Sequence, residues 1–307
     1  MTDTAARLPA TMQVLQRGWL SSNNILFGGV SPSALVDSGY GAHAAQTLAL
    51  VQSALQGRAL QRLINTHLHS DHCGGNAVLQ QAYRCSTTIP ASEAENVRSW
   101  DEDALSFAAT GQHCARFSFD DTISDGDTLT LGDMTWQVLG APGHDPHSLI
   151  LFCPDQRILI SADALWQNGF GVVFPELGGE SGFAEVRATL ELIAALDARL
   201  VIPGHGAPFT GVQQALDVAF SRLDYLSADP VRNAQNAVKV LLKFLLLERQ
   251  TIALAELPQL LSQMPVVVET NRRFLQQAPA LLAQWAIAQL VKAGAAEVDG
   301  AYLRNRE

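Results

Sequence analysis

Six consecutive residues, His67-Leu68-His69-Ser70-Asp71-His72, hold three of the chain's eight histidines together with a carboxylate. Neutral imidazoles and carboxylates are donors for Zn²⁺, Fe or Mn²⁺. The run Leu63-Ile64-Asn65-Thr66 ahead of them reads as a strand. Alternate residues of an extended segment share one face, so His67 and His69 point the same way. Asp71 and His72 lie past the turn and can address a second metal beside the first. Three more candidates each follow an apolar run: His144 after 136–143, Asp163 after 158–162 and His205 after 200–204. A lone histidine in a Gly-Pro turn is commonly an exposed turn residue. Several strands delivering donors in succession are what one ligand-bearing sheet edge requires.

The elements that must position these donors can be read from periodicity. Residues 22–27 and 34–38 read as paired strands, 44–56 as a helix stopped by Gly57, and 76–82 as a helix that Asn76 can cap. Residues 91–116 are polar and mixed, which predicts a helical excursion over the surface. A second strand set follows Ile123, with Asp125-Gly126 as a turn, through 129–131, 135–139, 149–152 and 157–161, before a helix at 183–196. This alternation predicts an α/β sandwich with its ligand loops at one edge. Beyond Gly211 long helical periodicity takes over at 212–226, 232–249, 254–261 and 279–293. The end, around Asp299-Gly300, reads as a helix plus hairpin.

The segments Thr66-His-Leu-His-Ser-Asp-His-Cys-Gly-Gly75, Ala141-Pro-Gly-His144, Ser161-Ala-Asp163 and Pro203-Gly-His-Gly206 resemble, in order, those of metallo-β-lactamase-fold hydrolases of the two-metal, glyoxalase-II-like kind. The resemblance covers roughly the first two thirds of the chain. It implies an αββα catalytic domain over 1–211 and a mainly helical, winged-helix-like appendage over 212–307. It also implies that His67, His69 and His144 hold one metal, that Asp71, His72 and His205 hold the other, and that Asp163 bridges them. Asp37, in Val36-Asp37-Ser38-Gly39, matches a position that supports the metal loops from behind. The complete set differs from that of antibiotic-hydrolysing members, and His69 stands where the flavodiiron branch has Glu.

Composition narrows the partners. With 48% hydrophobic residues the 307-residue chain can bury a substantial core. A formal charge of −10 disfavours a nucleic-acid surface, and from Asp229 onward nine Lys and Arg against seven Asp and Glu leave only +2. The appendage is therefore expected to cover the pocket or form a homodimer. Met1 to Gly18 shows no leader pattern, and 238–247 is too short to span a bilayer and carries Lys239 and Lys243. Four scattered cysteines form no Cys-x-x-Cys pair, so a reducing cytoplasm is the expected setting. Cys73 is expected to be a small packing residue, and His43 and His113 to face solvent.

The loop 166–179 mixes aromatics with glycines just past Asp163, making Trp166, Phe170 and Phe174 candidates for an apolar pocket wall. Two close metals lower the pKa of a shared water from about 15.7 toward 7. The expected reaction is thus hydroxide attack on an ester-like carbonyl, with Asp71 orienting the nucleophile. Ser70 lacks a base and orienter of its own. A thioester is the leading substrate, followed by a lactone and then a phosphodiester. A single-iron sulfur dioxygenase, or an effector that retains the site without using it, are alternatives from other classes. Zinc is the expected metal, with iron and manganese also compatible.

Overall fold

Strict alternation of inward and outward apolar side chains organises the chain into two face-to-face sheets. The computed structural model describes residues 7–306; the expectation about Met1 to Gly18 and the outer ends of both expected domains rest partly on residues outside that range. The first sheet runs β1 (Met12–Leu15), β2 (Asn24–Phe27), β3 (Ala34–Val36), β4 (Arg62–Ile64), β5 (Ser86–Pro90) and β6 (Asp121–Ile123) in spatial order. The second contains β7 (Thr128–Leu131), β8 (Met134–Gly140), β9 (Leu149–Cys153), β10 (Ile158–Ala162) and β11 (Leu200–Pro203), arranged in reverse. In the first sheet β1 to β3 pair antiparallel and β3 to β6 parallel.

Ile25, Phe27, Val36 and Ile64 of the first sheet meet Trp136, Val138, Leu149, Leu151, Ile158, Ile160 and Ile202 of the second. The intervening residues turn outward. Leu26, Leu35 and Leu63 pack on α1 (Ala44–Leu55) and α3 (Asn76–Tyr83), while α2 (Ser70–Cys73) lies at the sheet edge. Ile150, Phe152, Leu159 and Val201 pack on α7 (Phe183–Ala195) and α8 (Val212–Ser227). Because both faces are covered, the strands are apolar on both sides and read as continuous hydrophobic runs. This is the expected αββα order.

Residues 91–116 are only partly helical, as α4 (Ala94–Ser99) and α5 (Phe107–Thr110), with α6 (Phe174–Gly178) following in the aromatic loop. Beyond α8, α9 (Pro230–Arg249), α10 (Leu257–Ser262), α11 (Pro265–Thr270) and α12 (Pro279–Lys292) surround a three-stranded sheet, β12 (Thr251–Ala253), β14 (Tyr302–Asn305) and β13 (Ala296–Asp299). Asp229 accepts a hydrogen bond from the Val231 amide and caps α9, with Pro230 in its first turn. Val238, Leu241, Leu242, Leu245 and Leu246 then form the inward stripe of a separate core with Leu257, Leu261, Leu282, Ala286 and Leu303. The helix α8 instead shares the sandwich's core through Ala215, Leu216, Ala219 and Leu223. Among the described residues no helix is long and apolar enough to cross a membrane.

Candidate metal centre

Strand ends deliver the donors. β4 stops at Ile64, and the extended chain continues to His67 while the Leu149 amide, on the second sheet, donates to the Thr66 carbonyl at 2.9 Å. His69 precedes α2, whose single turn carries Asp71 and His72. β8, β10 and β11 end immediately or shortly before His144, Asp163 and His205. The approach is close enough to demand glycine: a Cβ on Gly204 would strike Asp163 Oδ1, and one on Gly171 would strike His144 Nδ1. Ala162, just before Asp163, has φ 44° at the irregularity where β10 meets β11. That left-handed conformation costs an L-residue about 1–2 kcal/mol and is held here by the surrounding pairing.

Two groups of potential ligand atoms result: His67, His69 and His144, and Asp71, His72, Asp163 and His205. In the first group His69 Nδ1 lies 3.2 Å from His67 Nε2 and 2.8 Å from His144 Nε2. Polar partners on the far side of each ring, hydrogen-bonded for His67 and His144 and a carboxylate at ion-pairing distance for His69, assign the tautomers. His144 Nδ1 is 2.6 Å from the Val172 carbonyl, which can only accept. The Thr66 hydroxyl gives its hydrogen to Asp37 Oδ2 at 2.8 Å and so accepts from His67 Nδ1 at 3.1 Å. His69 turns Nε2 toward Asp145 Oδ2, 3.5 Å away. Three lone pairs therefore face one another, an arrangement that no hydrogen bond between them satisfies and that a cation does.

In the second group His205 Nε2 is 3.0 Å from Asp71 Oδ2, and His72 Nε2 is 3.5 Å from Asp163 Oδ1. Asp163 also turns Oδ2 to within 3.4 Å of His144 Nε2, so this one carboxylate faces both groups. His72 Nδ1 is held at 2.8 Å by Asp37 Oδ2, and its Nε2 is buried with no hydrogen-bond partner. Asp37 additionally accepts from the Thr66 amide at 2.9 Å. It thus fixes two ligand rings from behind, directly for His72 and through Thr66 for His67. The donor set fits divalent metal.

Electrostatics separate the groups. Burial, then the His72 and His69 imidazoles, hold His67 well below the ordinary histidine pKa. Burial and His69 push His144 down to about 4. His72 is also fully buried, but Asp163, Asp37 and Asp71 outweigh burial and hold it well above the ordinary value. Burial would raise Asp163 as well; His205 and His72 reverse that and hold it well below the carboxylate range.

The groups open into a cleft whose walls include Trp166, Phe170 and Phe174. Asp71 also reaches the cleft. Trp166 Nε1 donates to Asp163 Oδ1 at 3.2 Å, while the Phe174 ring sits 5.4 Å from His69. Three wall residues, Trp19, Val240 and Phe244, were not legible as such. Trp19 is 53% exposed and lies parallel to His205 with ring centres 5.5 Å apart. Asn236, Val240 and Phe244 form an i, i+4, i+8 stripe on α9, on the side away from its core stripe; that spacing was the available signal. His147 stands away from the ligand atoms, 3.6 Å from Glu93. His43 contacts Ser21, and Cys73 is buried beside Cys114 with 3.8 Å between sulfurs.

The family described as the Metallo-beta-lactamase superfamily matches residues 17–205. Among curated relatives, a hydroxyacylglutathione hydrolase from Rhizobium etli is 28% identical over 164 residues, 53% of this chain and 55% of that protein. Another, from Hyphomonas neptunium, is 30% identical over 115 residues, 38% of each chain. The chain thus aligns with about half or less of the length of these relatives. A crystal structure of a metallo-beta-lactamase family protein from Thermus thermophilus is 20% identical, with a TM-score of 0.59, and the match covers 98% of this chain and 100% of that one. That likeness concerns the fold.

Proposed function

The chain belongs to the metallo-beta-lactamase superfamily, and from that premise we propose that it is a dinuclear metal-dependent hydrolase of ester-like bonds, with a thioester as its substrate. The observation that carries the reading is Asp163, one carboxylate facing both ligand groups at the floor of an aromatic-walled cleft. The thioester preference is supported by the relatives named for hydrolysis of hydroxyacylglutathione.

His67, His69 and His144 would hold one metal, and Asp71, His72 and His205 the other, with Asp163 shared. Zinc is the proposed occupant, because imidazole and carboxylate are among its ordinary ligands; iron and manganese accept the same donors. When bound, such a pair polarises a carbonyl oxygen and lowers the pKa of water from about 15.7 toward 7. Asp37, Asp145 and the Val172 carbonyl keep the imidazole lone pairs turned inward. Asp71 presents a carboxylate at the cleft, where it orients the attacking water and can accept its proton. Trp166, Phe170 and Phe174 exclude bulk water and pack the acyl or thiol chain. No protein nucleophile is needed.

The proposed division is a catalytic domain over 1–211 and an appendage over 212–307 whose helix α8 packs on the sandwich and whose α9 residues in the cleft wall support a pocket-covering role. Four buried free cysteines accord with a reducing, cytoplasmic setting. The test is thiol release from acyl-glutathione and acyl-CoA thioesters by metal-analysed protein, with His69→Ala as control. Turnover lost in the control supports the reading; absence of turnover with both metals bound sinks the thioester assignment.

A further inference from the structure

The chain contains 17 arginines but only three lysines, at positions 239, 243 and 292. All three line a single chamber. It adjoins the cleft described above, and the two share Trp19, Trp166, Asn236, Val240 and Phe244 as walls. Among the described residues no Asp or Glu lines the chamber, although the chain carries a formal charge of −10. At the boundary Arg222, from α8, enters the cleft wall with its guanidinium 5.7 Å from the Phe170 ring centre. Its Nε and the Asn236 Nδ2 are buried donors without a hydrogen-bond partner. Among the described residues no carboxylate lies within ion-pairing distance of Arg222, Lys239 or Lys292.

Like charges gathered in a concave, partly desolvated chamber repel one another unless a counter-charge joins them. Burial, and then Arg222, lower the Lys239 pKa. Lys243 is anchored at 2.6–2.8 Å by Asn305 Oδ1 and the carbonyls of Ala295 and Arg306. A cleft with one sign of charge and low-dielectric walls concentrates ligands of the opposite sign, and buried donors without acceptors call for acceptor atoms from a ligand.

Resting on the hydrolase reading above, we propose that this chamber is an anion subsite. The substrate carries phosphate or carboxylate on the part that extends past Trp19 and Phe244, bound by Lys239, Lys292 and Arg222 while the scissile bond sits at the ligand groups. A small organic anion fits better than a nucleic acid, because apolar residues wall the approach and the chain as a whole repels polyanions. The subsite lies on α8, α9 and α12, outside residues 17–205 that define the family. It distinguishes this chain's substrate from that of any member sharing the metal motifs alone.

The test is calorimetric, using non-hydrolysable thioethers and zinc-loaded full-length protein. S-hexyl-CoA carries phosphates, S-hexylglutathione carries carboxylates on the thiol side, S-(4-carboxybutyl)-N-acetylcysteamine carries one on the acyl side, and S-hexyl-N-acetylcysteamine is neutral. Wild type should bind at least one charged thioether at least about tenfold more tightly than the neutral one, with affinity falling as salt rises. Which charged compound wins tells phosphate from carboxylate and thiol side from acyl side. K239Q/K292Q and, separately, R222Q should lose at least that tenfold while binding the neutral compound within about twofold of wild type. The proposal is overturned if the variants bind the charged compounds as wild type does, if neutral and charged affinities fall together, or if wild type shows no preference for charge. Binding and cleavage of single-stranded RNA, lost in K239Q/K292Q, would also overturn it. If wild type prefers the charged thioethers and the variants lose that preference, but no matching thioester is hydrolysed, the subsite stands and the hydrolase reading falls.

Discussion

The two ligand groups share a wall, Asp163, but are opposite in electrostatic design. His67, His69 and His144 form a set without a carboxylate, in which burial and neighbouring imidazoles lower the pKa of His67 and His144. Asp71, His72, Asp163 and His205 bring two carboxylates to one point, and Asp163, Asp37 and Asp71 hold the His72 pKa well above the ordinary value. The first group therefore waits with lone pairs exposed, whereas the second must exchange a proton for its metal. The two sites should consequently differ in affinity and in response to acid.

The shared carboxylate is the place to break that comparison most completely. Asp163→Ala should empty both groups and lower turnover by about a thousandfold or more; full activity with two metals retained in this variant would remove the shared-carboxylate account. His69→Ala should cost one metal, with the second group still filled, and roughly a hundredfold in turnover, as read by metal analysis beside kinetics. Loss of both metals would mean that the groups do not bind independently.

Asp37→Asn removes the carboxylate behind His72 while keeping its shape. Metal affinity at the second group should fall about 10- to 100-fold, the usual cost of losing such a support, and competition with a chromophoric chelator would measure it. Acid sharpens the contrast more gently. His72 has its pKa raised, so below that value each metal that binds must displace a proton and affinity should fall about tenfold per pH unit. His144, pushed down to about 4, has no proton to release until far more acidic conditions. Dialysis at progressively lower pH should strip one equivalent well before the other; simultaneous loss would contradict the difference. The smallest effect expected is from Trp19→Ala, a few-fold rise in KM with kcat unchanged, because the ring lines the cleft without supplying a ligand atom.

The same contrast runs through what the sequence made legible. Ligand positions could be read because His67, His144, Asp163 and His205 each lie within a few residues of a strand end, where Gly204, next to His205, leaves room for Asp163. Local order suffices for such a signal. Trp19 and Phe244 reach the cleft from opposite ends of the chain, and only long-range packing brings them to His205. The strand Thr251–Ala253 escaped notice because three residues after a long helix carry no period of their own; pairing with Tyr302, Leu303 and Arg304 makes them a strand. Val266 to Val268 are β-branched and poor helix formers. They nevertheless form α11, which Pro265 starts and the burial of Val267 stabilises. Lysine scarcity was visible by simple counting, but its meaning required α9 and α12 to be placed beside the cleft.

The most direct test is to titrate metal-free protein with zinc while following both metal binding and thiol release from an acyl-glutathione thioester. A dinuclear hydrolase predicts that turnover stays low through the first equivalent and rises to its plateau as the second fills. A plateau reached at one equivalent, or no turnover with two bound, would contradict it.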